Sequence, residues 1–246
     1  MLRGSKAIVT GGSRGIGFSV AKMLVSNGCK VIITGRKEEK LTQAADKIGK
    51  GCEPFVWDVS EISEISTKFN ECVTALGGID ILVNNAGIFA QRSEWDKESL
   101  LNTTIGEWEN VMRTNTSAVF FMMQSAVKYM LENNIKGNIL NITSVAGEEP
   151  IYGAYGASKI TSTGLTRGWG KMFADTGIVI NGIAPGPVAT EMNNWHEGDS
   201  MKHNRIPFGR FASADEIAEL AAYLLSKKAE MICGETVILD GAYAIR

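Results

Sequence analysis

Apolar runs alternate with amphipathic stretches along the whole chain. Ala7-Ile8-Val9-Thr10 and Val31-Ile32-Ile33-Thr34 are short, rich in β-branched residues and continuous rather than alternating, the mark of strands covered on both faces. The pattern predicts strands near 6–10, 29–34, 53–57, 79–84, 137–143, 177–183 and 235–239, with helices between them. That rhythm is the one expected of an α/β fold with a doubly wound parallel sheet. Ser213-Ala214-Asp215-Glu216 has the form of a capping box and starts a helix through Ile217, Leu220, Ala221 and Leu224. Helices near 107–131 and 155–173 carry Val119, Phe120, Phe121, Met122, Trp169 and Phe173 on more than one face. Such helices must be covered on both sides, by the core or by a second copy of the chain. Two long connections, 87–104 and 184–210, follow strands whose carboxyl ends should face a ligand crevice.

Composition narrows this to one domain over 1–246. At 246 residues and 44% hydrophobic the chain can bury one large core, and no linker, repeat or low-complexity tract divides it. A formal charge of −2, with cations scattered among the acids, argues against nucleic acid or an anionic membrane as the main partner. Cys29, Cys52, Cys72 and Cys233 are widely spaced and form no C-x-x-C, which suits neither a zinc site nor a disulfide framework. His196 and His203 lie on a polar stretch without clustered carboxylates, so no metal is expected. The first strand begins within a few residues of Met1 and the most apolar helix is broken by Gln124 and Lys128, so neither a signal peptide nor a membrane span is expected. A reducing cytoplasm suits this composition.

Candidate chemistry sits at three places. The first strand runs into Gly11-Gly12-Ser13-Arg14-Gly15-Ile16-Gly17, followed by the helical pattern Val20, Met23, Leu24. Strand, glycine turn and helix form the order a pyrophosphate site requires: Gly11 for the tight turn, Gly15 for backbone approach, Gly17 for close helix packing, and a helix N-terminus for the anion. The spacing is not G-x-G-x-x-G. Tyr155 and Lys159, four apart in Tyr155-Gly156-Ala157-Ser158-Lys159, stack a phenol and an ammonium on one helix face. A phenol that exchanges protons at neutral pH must be shifted by roughly three units, about 4 kcal/mol. A cation at ~4 Å supplies about 4 kcal/mol at an effective dielectric of ~20 but only about 1 kcal/mol in bulk water, so the pocket must exclude water. Ser144, at the end of the run Gly137-Asn138-Ile139-Leu140-Asn141-Ile142-Thr143, could offer a hydroxyl to the same reacting oxygen.

These motifs, with Asn84-Asn85-Ala86-Gly87, Asn115, and Pro185-Gly186 with Thr190, stand in one order along nearly the whole chain. Together they resemble the short-chain dehydrogenase/reductase family in its single-domain form, which includes members that reduce 3-oxoacyl-[acyl-carrier-protein]. The resemblance implies a Rossmann-type fold and an oxidoreductase that interconverts a ketone and a secondary alcohol. In that scheme Tyr155 is the proton donor, Ser144 holds the carbonyl oxygen, Lys159 holds the ribose and lowers the Tyr155 pKa, and Asn115 completes a proton relay. The glycine turn, with Ser13, Arg14 and Ile16, would hold the cofactor. Asp58 and Val59 match the position beside the adenine, Asn85, Ala86 and Gly87 the ribose-supporting segment, and Pro185, Gly186, Val188 and Thr190 the segment that holds the carboxamide.

The second strand ends in Gly35-Arg36-Lys37, where an NAD-binding protein places a carboxylate on the ribose hydroxyls. Arg36 can bind a 2′-phosphate, with Arg14 as a second cation, so NADP(H) is the expected cofactor. A small carbonyl or alcohol is the expected substrate, a 3-oxoacyl thioester being one candidate. A polyol, sugar or sterol alcohol dehydrogenase, and a nucleotide-sensing protein without turnover, are the alternatives. The family's habit of pairing the two apolar helices favours a homotetramer or homodimer. Three departures bear on the substrate: the Ser144 to Tyr155 interval, with Glu148-Glu149-Pro150, is short; the 87–104 connection is long; and Ala242 stands where the family often has glycine. Tyr152 is expected to line the pocket. Residues 191–201 lack apolar periodicity and read as a lid, Met192, Trp195 and Met201 folding over the substrate with Gly198 as hinge and Phe89 and Trp95 opposite.

Overall fold

The computed structural model describes residues 2–89, 96–150 and 152–244. Its seven strands are β1 (Lys6–Thr10), β2 (Lys30–Gly35), β3 (Cys52–Val56), β4 (Ile81–Asn84), β5 (Asn138–Ile142), β6 (Val179–Pro185) and β7 (Thr236–Leu239). They form one parallel sheet in the order β3-β2-β1-β4-β5-β6-β7. All seven expected strands are present. Helices α1 (Gly15–Ser26), α2 (Glu38–Ile48), α3 (Ile65–Leu76), α4 (Lys97–Leu101), α5 (Ile105–Met112), α6 (Ala118–Glu132), α7 (Ala154–Phe173) and α8 (Ala214–Leu224) connect them. The order reverses direction between β1 and β4, and the crevice beyond the carboxyl ends of two such strands is where doubly wound sheets bind ligands.

Alternating strand residues feed two cores. Val9, Val31, Ile33 and Val83 face a cluster with Leu24, Leu41, Ile217 and Leu224. Ile8, Ile32, Leu82 and Ile139 face the other, with Phe69, Met122, Met123 and Met130. Helices cover both faces, so the strands tolerate no polar alternation. Trp169 and Phe173 pack partly against the second cluster, and Phe120 and Trp169 meet edge to face at 5.3 Å. The outer faces nevertheless keep Ile105, Trp108, Phe121, Ile160 and Met172 exposed.

Two local features depart from the sequence pattern. The 87–104 connection is not plain loop, because its latter part forms α4, capped by the Asp96 carboxylate accepting from Ser99 N. The helix expected over 107–131 starts at Ile105 behind a capping box of Thr104 and Glu107, and a π-helical turn at Arg113–Ser117 divides α5 from α6. Among the described residues no helix is long and apolar enough to cross a membrane, and no three His, Cys, Asp or Glu cluster as metal ligands.

Candidate active site

A cleft of about 780 Å³ opens beyond the carboxyl ends of β1, β4, β5 and β6. Its floor is the glycine turn. Gly11 and Gly15 hold φ of +67° and +54°, left-handed values that cost a side chain about 1–2 kcal/mol. At Gly17 a Cβ would meet Gly11 O at 2.5 Å, so α1 can approach the turn only without a side chain. The first turn of α1 has no acidic residue, and its N-cap Arg14 offers no side-chain acceptor, which leaves N–H groups for an anion. Thr10 Oγ1 accepts from the N–H groups of Asn85 and Ala86 at 3.0 Å, while Asn85 Nδ2 donates to Thr10 O at 2.8 Å and to Gly11 O at 3.1 Å. These bonds stitch the ends of β1 and β4 into one platform. The cradle fits the pyrophosphate of a dinucleotide.

At one end of the cleft lie Arg36, Asp58 and Val59. Arg36 NH1 is 3.8 Å from Asp58 Oδ2, and Asp58 Oδ1 accepts from Ser60 N and Ser60 Oγ at 3.0 and 2.7 Å. Asp58 therefore both ends a turn and faces a cation. Arg14 also lines the cleft, and its NH1 bonds the Glu191 carboxylate.

At the other end α7 presents Tyr155 and Lys159, 8% and 6% exposed. The Lys159 ammonium lies 5.6 Å from the Tyr155 ring centre and donates to Ile142 O at 3.0 Å. Burial pushes its pKa from 10.5 down to about 8. Both side chains are thus held largely out of solvent. Phe89 stacks on Tyr155 with ring centres 4.4 Å apart, and Ser144 lines the same cavity, its Oγ accepting from Ala146 N at 3.2 Å. Gly147, in the turn begun by Ser144, has no room for a Cβ, which would meet the Lys159 backbone at 2.9 Å. Close packing of that turn on α7 is what brings Ser144 and Tyr155 into one cavity.

Asn115 and Gly17 do not line the cleft. Asn115 is 1% exposed on the π-helical turn, with Oδ1 accepting from Ile88 N and Nδ2 donating to Ile88 O and Ser158 Oγ. Ser158 Oγ in turn donates to Tyr155 O at 2.7 Å, and Ser162 Oγ donates to Asn115 O at 3.0 Å. A π-helical turn shifts the residues that follow it by one position, and such turns recur at functional sites. Here it points Asn115 back at Gly87 and α7. A Cβ on Gly87 would lie 3.4 Å from Asn115 Oδ1 and 3.6 Å from Lys159 Nζ, so the amide and the ammonium converge on that segment.

Buried amides extend this scaffold through the sheet. Asn84 Nδ2 donates to Asn141 Oδ1, and Asn141 Nδ2 donates to Thr166 Oγ1 of α7, both at 2.9 Å. The sequence reading missed Asn141, Ser158, Ser162 and Thr166. Polar residues inside apolar strand and helix patterns were the available signal, since such groups are buried only with partners.

The segment expected to hold the carboxamide also lines the cleft, with Pro185, Gly186, Val188 and Thr190. Gly186 packs where a Cβ would meet Asp240 Cβ at 2.6 Å. Asp240 is held by Ala242 N and Ala244 N, and Ala242 adopts φ of +70°, so the left-handed turn that glycine would favour is made by alanine. Of the expected lid residues, Met192 and Trp195 line the cleft and Met201 does not; Met201 is bonded through its carbonyl to Phe211 N. Trp195 Nε1 donates to Ser200 O, and Gly198 has φ of +96°. Tyr152 is 52% exposed and off the cleft. Trp95 lies outside the described residues. The sequence reading also missed Glu149, Glu197, Arg205 and Tyr243, which line the cleft. The far end of the 184–210 connection is clamped by Arg210, whose two guanidinium nitrogens bond the Glu216 carboxylate and, with Ser213 N, hold its pKa near 2.

A profile of the short chain dehydrogenase family matches residues 5–199. The gluconate 5-dehydrogenase of Gluconobacter oxydans is 34% identical, covering 99% of this chain and 96% of that protein. The 3-oxoacyl-[acyl-carrier-protein] reductase of Aquifex aeolicus is also 34% identical, over 98% of this chain and 97% of its own. Among solved structures, a 3-ketoacyl-(acyl-carrier-protein) reductase from Brucella melitensis complexed with NADH superposes with a TM-score of 0.89 at 27% identity, covering 100% of both chains.

Proposed function

The chain belongs to the short-chain dehydrogenase family, and on that premise we propose that it is an NADP(H)-dependent oxidoreductase interconverting a ketone and a secondary alcohol. The observation that carries the reading is the cavity in which Ser144 and the buried Tyr155 and Lys159 meet beside a phosphate cradle. The nicotinamide, when bound, supplies or accepts the hydride. Tyr155 gives its phenolic proton to the carbonyl oxygen, and Ser144 donates a hydrogen bond to that oxygen. Lys159, held by Ile142 O, places positive charge beside the phenol and favours its ionised form. Asn115 holds the segment around Gly87 and, through Ser158, the first turn of α7; its approach with Lys159 to Gly87 supports a place for it in the relay that carries protons from Lys159. The pyrophosphate would rest on Gly11, Ser13, Gly15 and Ile16, and the carboxamide on Pro185, Gly186, Val188 and Thr190.

NADP(H) is favoured over NAD(H) because β2 ends in Gly35-Arg36-Lys37 with no carboxylate. The unmutated enzyme should show a higher kcat/KM with NADPH than with NADH. Gly35→Asp with Arg36→Ala should reverse the order, since a Cβ at position 35 meets only the tip of Leu41 closely, at 3.2 Å. Equal kcat/KM for the two cofactors in the unmutated enzyme would sink the assignment. A 3-oxoacyl thioester is the leading substrate class, its chain lying along Phe89, Met192 and Trp195. A second reading, oxidation of a sugar or polyol, is favoured by Glu149, Glu197 and Arg205 in the cleft lining, which can bind hydroxyls. Steady-state turnover on acyl thioesters, diketones, sugars and steroid ketones separates the two.

The assembly is a homotetramer or homodimer, in which Ile105, Trp108, Phe121, Ile160 and Met172 become covered. Light scattering at the monomer mass of 26.6 kDa would refute it. A small molecule is its partner, and a cytoplasmic location is supported by four free, widely spaced cysteines.

A further inference from the structure

Arg14 occupies a position between two alternatives. Its neighbour Ser13 brings Oγ to 3.8 Å from a Cβ built on Gly35, the residue before Arg36. Its other neighbour, Gly15, lies where a Cβ would sit 3.3 Å from Thr190 Cγ2, the residue before Glu191. The glycine turn thus touches both the end of β2 and the loop after β6, with Arg14 between the two contacts. In this structure its guanidinium is bonded to the Glu191 carboxylate, and both side chains are more than two-fifths exposed. Arg36 remains at the other side with Asp58 at 3.8 Å.

We propose that Glu191 is a cofactor-selecting residue, which holds Arg14 on the loop after β6 and so withdraws it from the 2′-phosphate of NADP(H). The inference rests on the proposed dinucleotide function and deepens it. A 2′-phosphate arriving beside Arg36 carries about −1.5 to −2 charge, as phosphate monoesters do at neutral pH. It recruits the second guanidinium in competition with Glu191, whose carboxylate holds one of its nitrogens. NADH has no such group and leaves the pair intact. Repulsion between Glu191 and the pyrophosphate is common to both cofactors and cancels in the ratio of their affinities. Glu191 therefore sets how strongly the enzyme prefers NADPH, and ties the choice of cofactor to the anchoring of the loop that carries Met192 and Trp195.

The test is a double-mutant cycle read by dissociation constants, measured by fluorescence titration with NADPH and with NADH. Glu191→Gln keeps the side chain's shape and removes its charge. It should raise the ratio Kd(NADH)/Kd(NADPH) by about two- to five-fold, the scale of one exposed ion pair, and by more at low salt than at high salt. In an Arg14→Ala background the same substitution should leave the ratio unchanged. An unchanged ratio in Glu191→Gln, an equal change in both affinities, or a shift that persists without Arg14 would each overturn the inference. The NADP(H) reading fails separately, if the unmutated enzyme binds NADH as tightly as NADPH.

Discussion

Tyr155→Phe should lose at least about 99% of turnover while binding NADPH within about two-fold of the unmutated enzyme, since general acid catalysis by one group contributes about 10²–10⁴-fold. The substitution removes one oxygen from a ring that is 8% exposed and keeps the stack with Phe89. The fold should therefore survive, and Tyr155 O still accepts from Ser158 Oγ. None of the glycine-turn bonds that hold Thr10, Gly11, Asn85 and Ala86 depends on the phenol. Single-turnover hydride transfer and an NADPH titration separate chemistry from binding. If the variant kept more than a few per cent of kcat, another acid would have to serve, and the nearby phenol of Tyr152 is half-exposed and off the cleft.

Much of this site was legible before any coordinates. Strand, glycine turn and helix read directly because each imposes a residue type: β-branched residues for a strand covered on both faces, glycine for a left-handed turn. The Tyr155 and Lys159 spacing fixes a shared helix face, which burial then turns into chemistry. What stayed hidden depended on contacts between distant segments. Arg14 carries no sequence mark that it would bond Glu191, because two charges separated by 177 residues meet only through the sheet topology. The π-helical turn at Asn115 is held by bonds to Ile88, Ser158 and Ser162, partners far along the chain that no local pattern records. Proximity in sequence puts Met201 and Tyr152 at the cleft, whereas Met201 O accepts from Phe211 N and Tyr152 is half-exposed and off the cleft. The α4 helix was missed because its signal is a single capping aspartate, Asp96, at the start of five residues.

Lys159→Met should cut turnover sharply yet stabilise the cofactor-free protein at neutral pH. The ammonium is buried with one acceptor, Ile142 O, and its pKa falls from 10.5 to about 8. A lowered lysine pKa means that the fold disfavours the charged form, so the group costs stability wherever the unfolded chain is protonated. The cost is complete below about pH 8, where both states carry the charge, and amounts to about 3 kcal/mol. Between about pH 8 and 10.5 the folded state releases its proton while the unfolded state keeps it, so the cost fades as pH rises. Methionine has a similar length and no charge, and losing the bond to Ile142 O takes back about 1 kcal/mol. The variant should accordingly unfold about 1–3 kcal/mol harder than the parent at pH 7, with the difference shrinking through the pH 8 to 10.5 window. Turnover should fall by about two or more orders of magnitude, because the phenol loses the cation that favours its ionised form. Denaturant melts at several pH values, run beside kinetics, read both effects. A variant less stable than the parent at pH 7, by an amount that does not change with pH, would show that Lys159 stabilises the fold and that its charge is not held against a desolvation cost.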